Sequence, residues 1–537
     1  MKNRSKINLL KYILKVILKL KSSCIETRYI CKNGRFIMRY LLGLDIGTSG
    51  TKTALFDEEG NTIKTATYGY DLFQPQAGWA EQNPEDWWEA CVKGIKDVIE
   101  KSNVQASDIK GIGLSGQMHG LVLVDKDYKV IRNSIIWCDQ RTEKECDYMT
   151  EVIGKERLIK ITGNPALTGF TLSKLLWVRN NEPDNYEKIY KILLPKDYIR
   201  LKLTNVFATE VSDASGMQML DINTRNWSEE LLNELNIDKN ILADVYESVV
   251  VSGYVTEETA KLTNLAVNTP VVGGAGDQAA GAIGNGIVSE GIISTTIGTS
   301  GVVFAATDTP RFDKEGRVHT LCHAVPNKWH IMGVTQGAGL SLNWFKRTFC
   351  AKEVEESEKS GRDIYDILTE KASKSKPGSN GIVYLPYLMG ERTPHIDPNV
   401  KGAFLGVSLI NDHDDFVRSI LEGVSFSLKN CLDLIEDMNV NIDEIRVSGG
   451  GAESSIWRQI LADIFQYSLT TVKASEGGAL GVAILAGVGA GIYDSVEDAC
   501  SKIIKGNSKV SPNTDLKEVY SKVYDVYNSA YPKIKDI

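Results

Sequence analysis

The chain has 537 residues, more than one hydrophobic core usually serves, so two large domains are expected. It is 42% hydrophobic and 24% charged, the composition of a globular enzyme. Its net charge of −8, with no basic patch interleaved with aromatic residues, excludes nucleic acid as a general partner.

Residues 1–37 hold ten Lys or Arg against the single acid Glu26, and the remainder is acidic. Within them INLLKYILKVILKLK sets Lys11, Lys15 and Lys19 four apart, a stripe that a membrane-surface helix would use. The apolar runs are too short to span a bilayer and lack a signal peptide's unbroken core. The preferred reading is an extension upstream of the fold, with Met38 as the natural start and no membrane partner. From there strands are expected at 40–46, 53–56 and 61–70. Pro84 opens a helix with acids early and Lys late, as the helix dipole prefers. IKGIGLSGQMHG and LVLVD read as strands, and helices are expected at 140–156, 171–181 and 278–286. The second half offers strands at 291–297, 302–306 and 329–334 and a helix in GLSLNWFKRTF. A long helix is expected over 412–438, followed by glycine turns in VSGGGAESS and EGGALGV. This alternation is α/β architecture. The boundary between the halves falls near 270–290, with the cleft between them.

Nine cysteines are scattered without a CxxC pair, which argues against a disulfide framework or zinc site and for reduced thiols in the cytoplasm.

The pentapeptide Ile-Gly-Thr-Ser-Gly occurs twice, at Ile46 to Gly50 and at Ile297 to Gly301, each between apolar runs. A Gly/Ser/Thr turn between strands leaves backbone N–H groups that can bind an anion, most often phosphate. Two copies suggest related halves that hold a nucleotide triphosphate between them.

Several residues carry chemistry, each with a plainer alternative. Asp45, among Leu42, Leu44 and Ile46, needs a partner: either Mg²⁺ beside phosphates or the backbone N–H groups of its own turn, and the spacing leaves these even. Asp277 ends the run PVVGGAGD; it could be a general base for a sugar hydroxyl, but as an N-cap it is the better reading, and the helix dipole should lower its pKa. Gly274, Gly276 and Ala279 satisfy a dinucleotide fingerprint, the sign of a nicotinamide oxidoreductase. The acid expected about 20 residues on is missing. GTSGTK lacks Walker A spacing, so a P-loop kinase is excluded. Gly449, Gly450 and Gly451 would let a flat ring or phosphate approach, or simply make a tight turn. His119, with Met118 and Gln117 at a strand end, suits a small polar ligand, though one His there is more often structural. Trp79, Trp137 and Trp177 could wall a sugar site or form core.

Together LGLDIGTSGTKTALFD, LSGQMHGLVLVD, IIWCDQRT, ITGNPALTGFTLSKLLWVRNNEP, LLPKDYIRLKLT, GGAGDQAAGA, LPYLMGERTPH and VSGGGAESSIWRQILAD resemble the FGGY carbohydrate kinase family. The match runs from about Met38 to beyond Gly487, and both family signatures stand, in GFTLSKLLWVRNN and from GAFLGV to DFVRSILEG. The resemblance implies two actin-like ATPase (ribonuclease H-like) domains around a central cleft, a sugar-binding one at 38–285 and a nucleotide-binding one at 286–537. It implies transfer of the γ-phosphate of ATP to the terminal 5-hydroxyl of D-xylulose, a small-molecule substrate; a homodimer is compatible with it. Carried over by position, Asp277 becomes the general base and a sugar contact, overturning the N-cap preference. Asp45 organises Mg²⁺ at the sugar. Thr48 and Lys52 attend the first phosphate loop and Gly298 and Thr299 the second. Gly339 and Asn343 lie near phosphates and ribose, Gly450 and Gly451 back the adenine, and Met118 and His119 contact the sugar. Alternatives are another ketopentose or polyol as substrate, or, in a different class, a non-catalytic actin-like ATP switch, where GQMHG and ERTPH would have no evident role.

Overall fold

The computed structural model describes residues 31–32, 35–36, 38–472 and 476–536. The helix considered for residues 8–21 lies outside the described residues; within 1–37 only the paired strands Cys31–Lys32 and Arg35–Phe36 are described. Tyr40–Ile537 forms one compact unit, built on two seven-stranded sheets. Among the described residues no helix is long and apolar enough to cross a membrane, and the seven cysteines whose side chains are described are all free.

The first sheet is built from β1 (Tyr40–Ile46), β2 (Gly50–Asp57), β3 (Thr62–Gly69), β4 (Ile109–Gly116), β5 (Val251–Tyr254) and β6 (Pro270–Val272). They stand in the order β5-β6-β4-β1-β2-β3, with Ala275–Gly276 pairing β4 beyond the end of β6. β1 pairs antiparallel with β2 and parallel with β4, so the apolar β1, with Leu41, Leu42 and Leu44 buried, is central. Helix α1 (Pro84–Ser102) lies against β2 and β3. Asn83 caps it through a bond from the Glu85 N–H, and Pro84 occupies its first turn.

The second sheet contains β7 (Gly291–Ile297), β8 (Gly301–Thr307), β9 (His319–Cys322), β10 (Trp329–Thr335), β11 (Ile442–Ser448), β12 (Leu469–Val472) and β13 (Gly506–Val510). Its order is β9-β10-β8-β7-β11-β12-β13. The 25-residue helix His413–Asp437 covers it, capped by Asp412 with a reciprocal bond from Asp415.

The expected helix at 140–156 is two, Glu143–Ile153 and Lys155–Thr162, because Gly154 between them has φ 87° and cannot continue the first. The expectation at 171–181 matches Thr171–Asn181. The repeated pentapeptides do not close alike. Ile46 pairs with Thr51, whereas Ile297 pairs with Gly301. The second hairpin therefore turns one residue tighter than the first.

Two helices link the sheets: α2 (Asp277–Gly284), which follows the first sheet, and α3 (Gly477–Gly489), which comes late in the chain. They pack together, and α3 also lies across β1 and β4. Contact is close because both strands offer glycine. A Cβ at Gly43 would collide with the carbonyl of Ala479, and one at Gly113 with that of Val482. Ala279, Ala280, Ile283, Leu480, Val482, Ala483 and Ala486 make this seam apolar.

Candidate functional site

The site lies where β1, α2 and α3 meet. Asp45, one residue before the end of β1, is flanked in the sheet by Lys52 and Ser115. Its Oδ1 is buried without a hydrogen-bond partner. Burial raises its pKa, against the lowering influence of Ser115 and the Lys52 ammonium. No backbone N–H of the 47–50 turn is bonded to it among the described residues, so closing that turn is not its task. A Cβ added at Gly478, in the first turn of α3, would stand 2.9 Å from its Oδ2.

Asp277 is the first residue of α2, and Gly276 holds the N-cap position without a side-chain bond. The N-cap reading is thereby corrected. Its pKa is also not lowered. Burial, followed by the negative charge of Asp45, pushes it up to about 7, outweighing the bonds it accepts from Gln278. A helix terminus supplies about half a charge, which is less than desolvation and a full neighbouring carboxylate withdraw. Two neighbouring carboxylates, Asp45 raising Asp277 and itself carrying an orphaned oxygen, fit a hard divalent cation.

Gly276 also brings the sugar candidates to Asp277. A Cβ there would be 2.8 Å from Cγ of Met118, which is buried. The Gly276 N–H donates to Ser212 Oγ at 3.1 Å, and that hydroxyl donates to Glu210 at 2.9 Å. With its N–H engaged and Met118 over its face, this turn has no room for a pyrophosphate, and the nicotinamide reading fails. His119, in the turn just beyond β4, has φ 68°. Its Nδ1 lies 2.8 Å from the Gly216 carbonyl. A carbonyl only accepts, so Nδ1 carries the proton and Nε2 is left as an acceptor. Burial and the Lys174 ammonium lower its pKa to about 3, so the ring is neutral at working pH. It stacks on Phe170 at 4.1 Å. Lys174 donates to the carbonyls of His119 and Gly169 at 3.0 and 2.7 Å, and burial lowers its own pKa to about 7.

The first loop is tied from several directions. Trp137 Nε1 donates to Thr48 Oγ1 at 2.9 Å, Gln82 to the Thr48 carbonyl at 2.8 Å, and the Tyr70 hydroxyl to the Gly47 carbonyl. Lys52 forms a 3.0 Å ion pair with Glu476, just before α3. Of the three tryptophans, Trp79 and Trp177 pack edge to face at 5.3 Å with the Arg141 guanidinium over Trp79, whereas Trp137 is exposed beside the loop.

Six of the candidates share one cavity of about 570 Å³: Gly298, Thr299, Gly339, Asn343, Gly450 and Gly451. Gly449 alone of the triple glycine needs a positive φ, 87°. A Cβ at Gly450 would meet nothing within 4 Å, leaving that wall open for a flat ring. Tyr365, Asp366 and Trp457 also line this cavity; they stand in ordinary helical patterns, and no sequence signal marks them. Thr48, Lys52 and Asp45 do not line it. A larger groove of about 1020 Å³ beside Trp88 and Tyr128 contains none of the candidates. Cys350, Glu353 and His413 cluster elsewhere. There the imidazole turns Nε2 toward Cys350 and Nδ1 toward Glu353, at 3.7 Å each, and Lys371 already neutralises Glu353. One ring cannot offer both nitrogens to one ion, so this is no metal centre.

Residues 40–284 match the N-terminal domain, and residues 293–490 the C-terminal domain, of the FGGY family of carbohydrate kinases. The chain is 39% identical over 500 residues to the xylulose kinase of Bacillus subtilis (strain 168), covering 93% of this chain and 98% of that one. It is 37% identical over 494 residues to the xylulose kinase of Staphylococcus xylosus, covering 92% and 100%. Among solved structures, a "xyloylose kinase" from Brucella ovis superposes with a TM-score of 0.84 at 35% identity, covering 92% of this chain and 99% of that one.

Proposed function

We propose, for a chain that belongs to the FGGY family of carbohydrate kinases and is an ATP-dependent sugar kinase, that it phosphorylates D-xylulose at the 5-hydroxyl to give D-xylulose 5-phosphate and ADP. The observation that carries the reading is Asp277, a carboxylate raised to about 7 between Asp45 and Met118–His119. A base near the operating pH takes a hydroxyl proton most effectively.

In this reading residues 38–285 hold the sugar and residues 286–537 the nucleotide, in the cytoplasm. Met118 and the acceptor Nε2 of His119 hold the ketose, with its terminal hydroxyl against Asp277. The adenine lies on Gly450 and Gly451, with Asn343 and Gly339 toward ribose and phosphates. The Thr48 and Thr299 loops face the phosphate tail with their N–H groups, and Lys52 stands beside the first. The proton passes from O5 to the Asp277 carboxylate, O5 bonds to the γ-phosphorus, and the bond to the β,γ-bridging oxygen breaks with its electrons leaving on ADP. Positioning contributes more than early proton removal, since phosphoryl transfer runs through a loose transition state. Asp45, with Asp277 facing it, would hold Mg²⁺, whose charge would neutralise the phosphate oxygens.

Identification of the product from ATP and D-xylulose tests the reading, with a panel of pentuloses, glycerol and gluconate alongside. A selective D-xylulose 5-phosphate product supports it; comparable kcat/KM for several unrelated polyols defeats it. Asp277→Asn should keep ATP binding and lose about 10²–10⁴-fold in kcat.

A further inference from the structure

The segment Gly390–His395, part of the ERTPH motif, carries a guanidinium that the mechanism above does not use. Its neighbours are firmly held. The Glu391 carboxylate accepts from Thr335 Oγ1 at 2.7 Å, the Gln336 N–H at 2.9 Å, Ser427 Oγ at 3.2 Å and the Arg392 N–H at 2.7 Å. Thr393 donates its N–H to the Val334 carbonyl at 3.0 Å and accepts from the Val334 N–H at 3.1 Å. Arg392 is thus clamped by its backbone against the end of β10. Its side chain is the exception. Among the described residues no hydrogen bond or ion pair is recorded for its guanidinium, and the adjacent Glu391 is fully occupied by other donors. Arg392 is only partly buried, yet desolvation lowers its pKa to about 10. Protein surrounds it without sealing it off.

Two imidazoles lie in its field. His319, on β9 opposite Met332, has Nδ1 2.8 Å from Asn164 Oδ1. The Asn164 Nδ2 donates to the carbonyls of Thr162 and Thr320, which fixes the amide and makes His319 Nδ1 the donor. Like His119, His319 therefore presents an unprotonated Nε2. Phe170 lies 4.1 Å from the His119 ring and 5.7 Å from His319. Burial, with the charges of Lys174 and Arg392 acting on His119 and that of Arg392 acting on His319, keeps both rings neutral. The place holds two acceptors and one unpaired fork of donors, and among the described residues no anion pairs with that fork.

We propose that Arg392 is a specificity-determining contact of the sugar site, donating from its guanidinium to carbonyl and hydroxyl oxygens of the ketose at the end held by His119 and His319. The inference rests on the sugar-kinase reading of the site and adds to it a contact from the second half of the chain. Sugar bound to His119 then also engages the β10 side, so its arrival favours the joined state of the two halves. It also follows that a five-carbon sugar acid, whose carboxylate meets the unpaired fork, competes with the ketose.

The test compares wild type, Arg392→Gln and Arg392→Lys, with D-xylulose and ATP varied independently and D-xylonate as probe. In Arg392→Gln, KM for D-xylulose should rise about tenfold or more, the loss expected for a charge-assisted bond, with KM for ATP within about twofold. D-xylonate should inhibit wild type competitively against the sugar and bind Arg392→Gln about tenfold more weakly, with Arg392→Lys between. Unchanged sugar KM and unchanged xylonate inhibition in Arg392→Gln overturn the proposal, as does a rise confined to KM for ATP. If Arg392→Gln does not fold, Arg392→Lys decides, and xylonate affinity equal to wild type overturns it. A wild-type enzyme inactive on D-xylulose defeats the substrate assignment alone, because xylonate titration of wild type and variants by calorimetry still reads Arg392.

Discussion

The N–H of Gly339 donates to the carbonyl oxygen of Gly298 across 2.8 Å, joining the second glycine loop to the start of the helix Gly339–Phe349. Ala338 and Leu340 bond in the same way to Thr299. A Cβ on Gly339 would stand 2.6 Å from the Gly298 oxygen. Gly339→Ala should therefore displace the loop and weaken ATP binding about tenfold or more, equivalent to about 1.4 kcal/mol, with little change in sugar affinity. Nucleotide titration beside sugar titration checks it.

The Asp277 carboxyl, raised to about 7 without metal, should impose an acid limb on kcat/KM for the sugar, with its midpoint below that value because turnover requires Mg²⁺ beside it. Below that midpoint the base is protonated, and the rate falls about tenfold per unit. The same shift acts on stability with a defined sign. Between the ordinary carboxylate pKa near 4 and about 7, the folded chain holds a proton that the unfolded chain has lost, so stability declines as pH rises through that window. Asp277→Asn removes this burden. In metal-free buffer at pH 8 its melting temperature should exceed that of wild type, and the two should converge toward pH 4. Equal melting temperatures at pH 8 would show that the carboxylate is not desolvated.

Trp137 holds Thr48 by a single indole N–H across 2.9 Å. Trp137→Phe keeps the ring and deletes the donor. One such bond contributes about 0.5–1.5 kcal/mol, so kcat/KM should fall about two- to tenfold while the melting temperature is almost unchanged. Presteady-state phosphoryl transfer would place the loss at the chemical step.

Gly113 on β4 lies beneath the Val482 carbonyl of α3 with no space for a methyl group. Neither backbone can retreat without opening the seam, so Gly113→Ala should cost about 1–3 kcal/mol or more. Urea unfolding would measure it. A loss under 0.5 kcal/mol, the scale of a surface change, would mean that α3 does not rest on this strand.

Much of the fold is legible locally. Apolar runs locate β1 and β7, Pro84 with its acids locates α1, and the Gly-Thr-Ser-Gly hairpins announce themselves, because each feature is decided by residues a few positions apart. The cavity lined by Gly298, Gly339 and Gly450 is legible too. Gly339 is a site where backbone must lie bare, and bare backbone has a letter of its own. Arg392 shows the limit. An arginine in sequence looks the same with or without a carboxylate beside it, and here the adjacent Glu391 is engaged by Thr335, Gln336 and Ser427 from other elements.

By itself, the sequence determined the α/β class, the paired glycine hairpins and the family to which the chain belongs, since hydrogen-bonding pattern and turn chemistry depend on near neighbours. Only the tertiary structure decided that Asp277 is a raised carboxylate rather than a helix cap. It also decided that Lys52 pairs with Glu476, that α3 seals the first sheet, and that identical pentapeptides close in different registers. The first three of these are set by segments hundreds of residues away, through desolvation, charge and close packing, which act through space and leave no mark on adjacent letters.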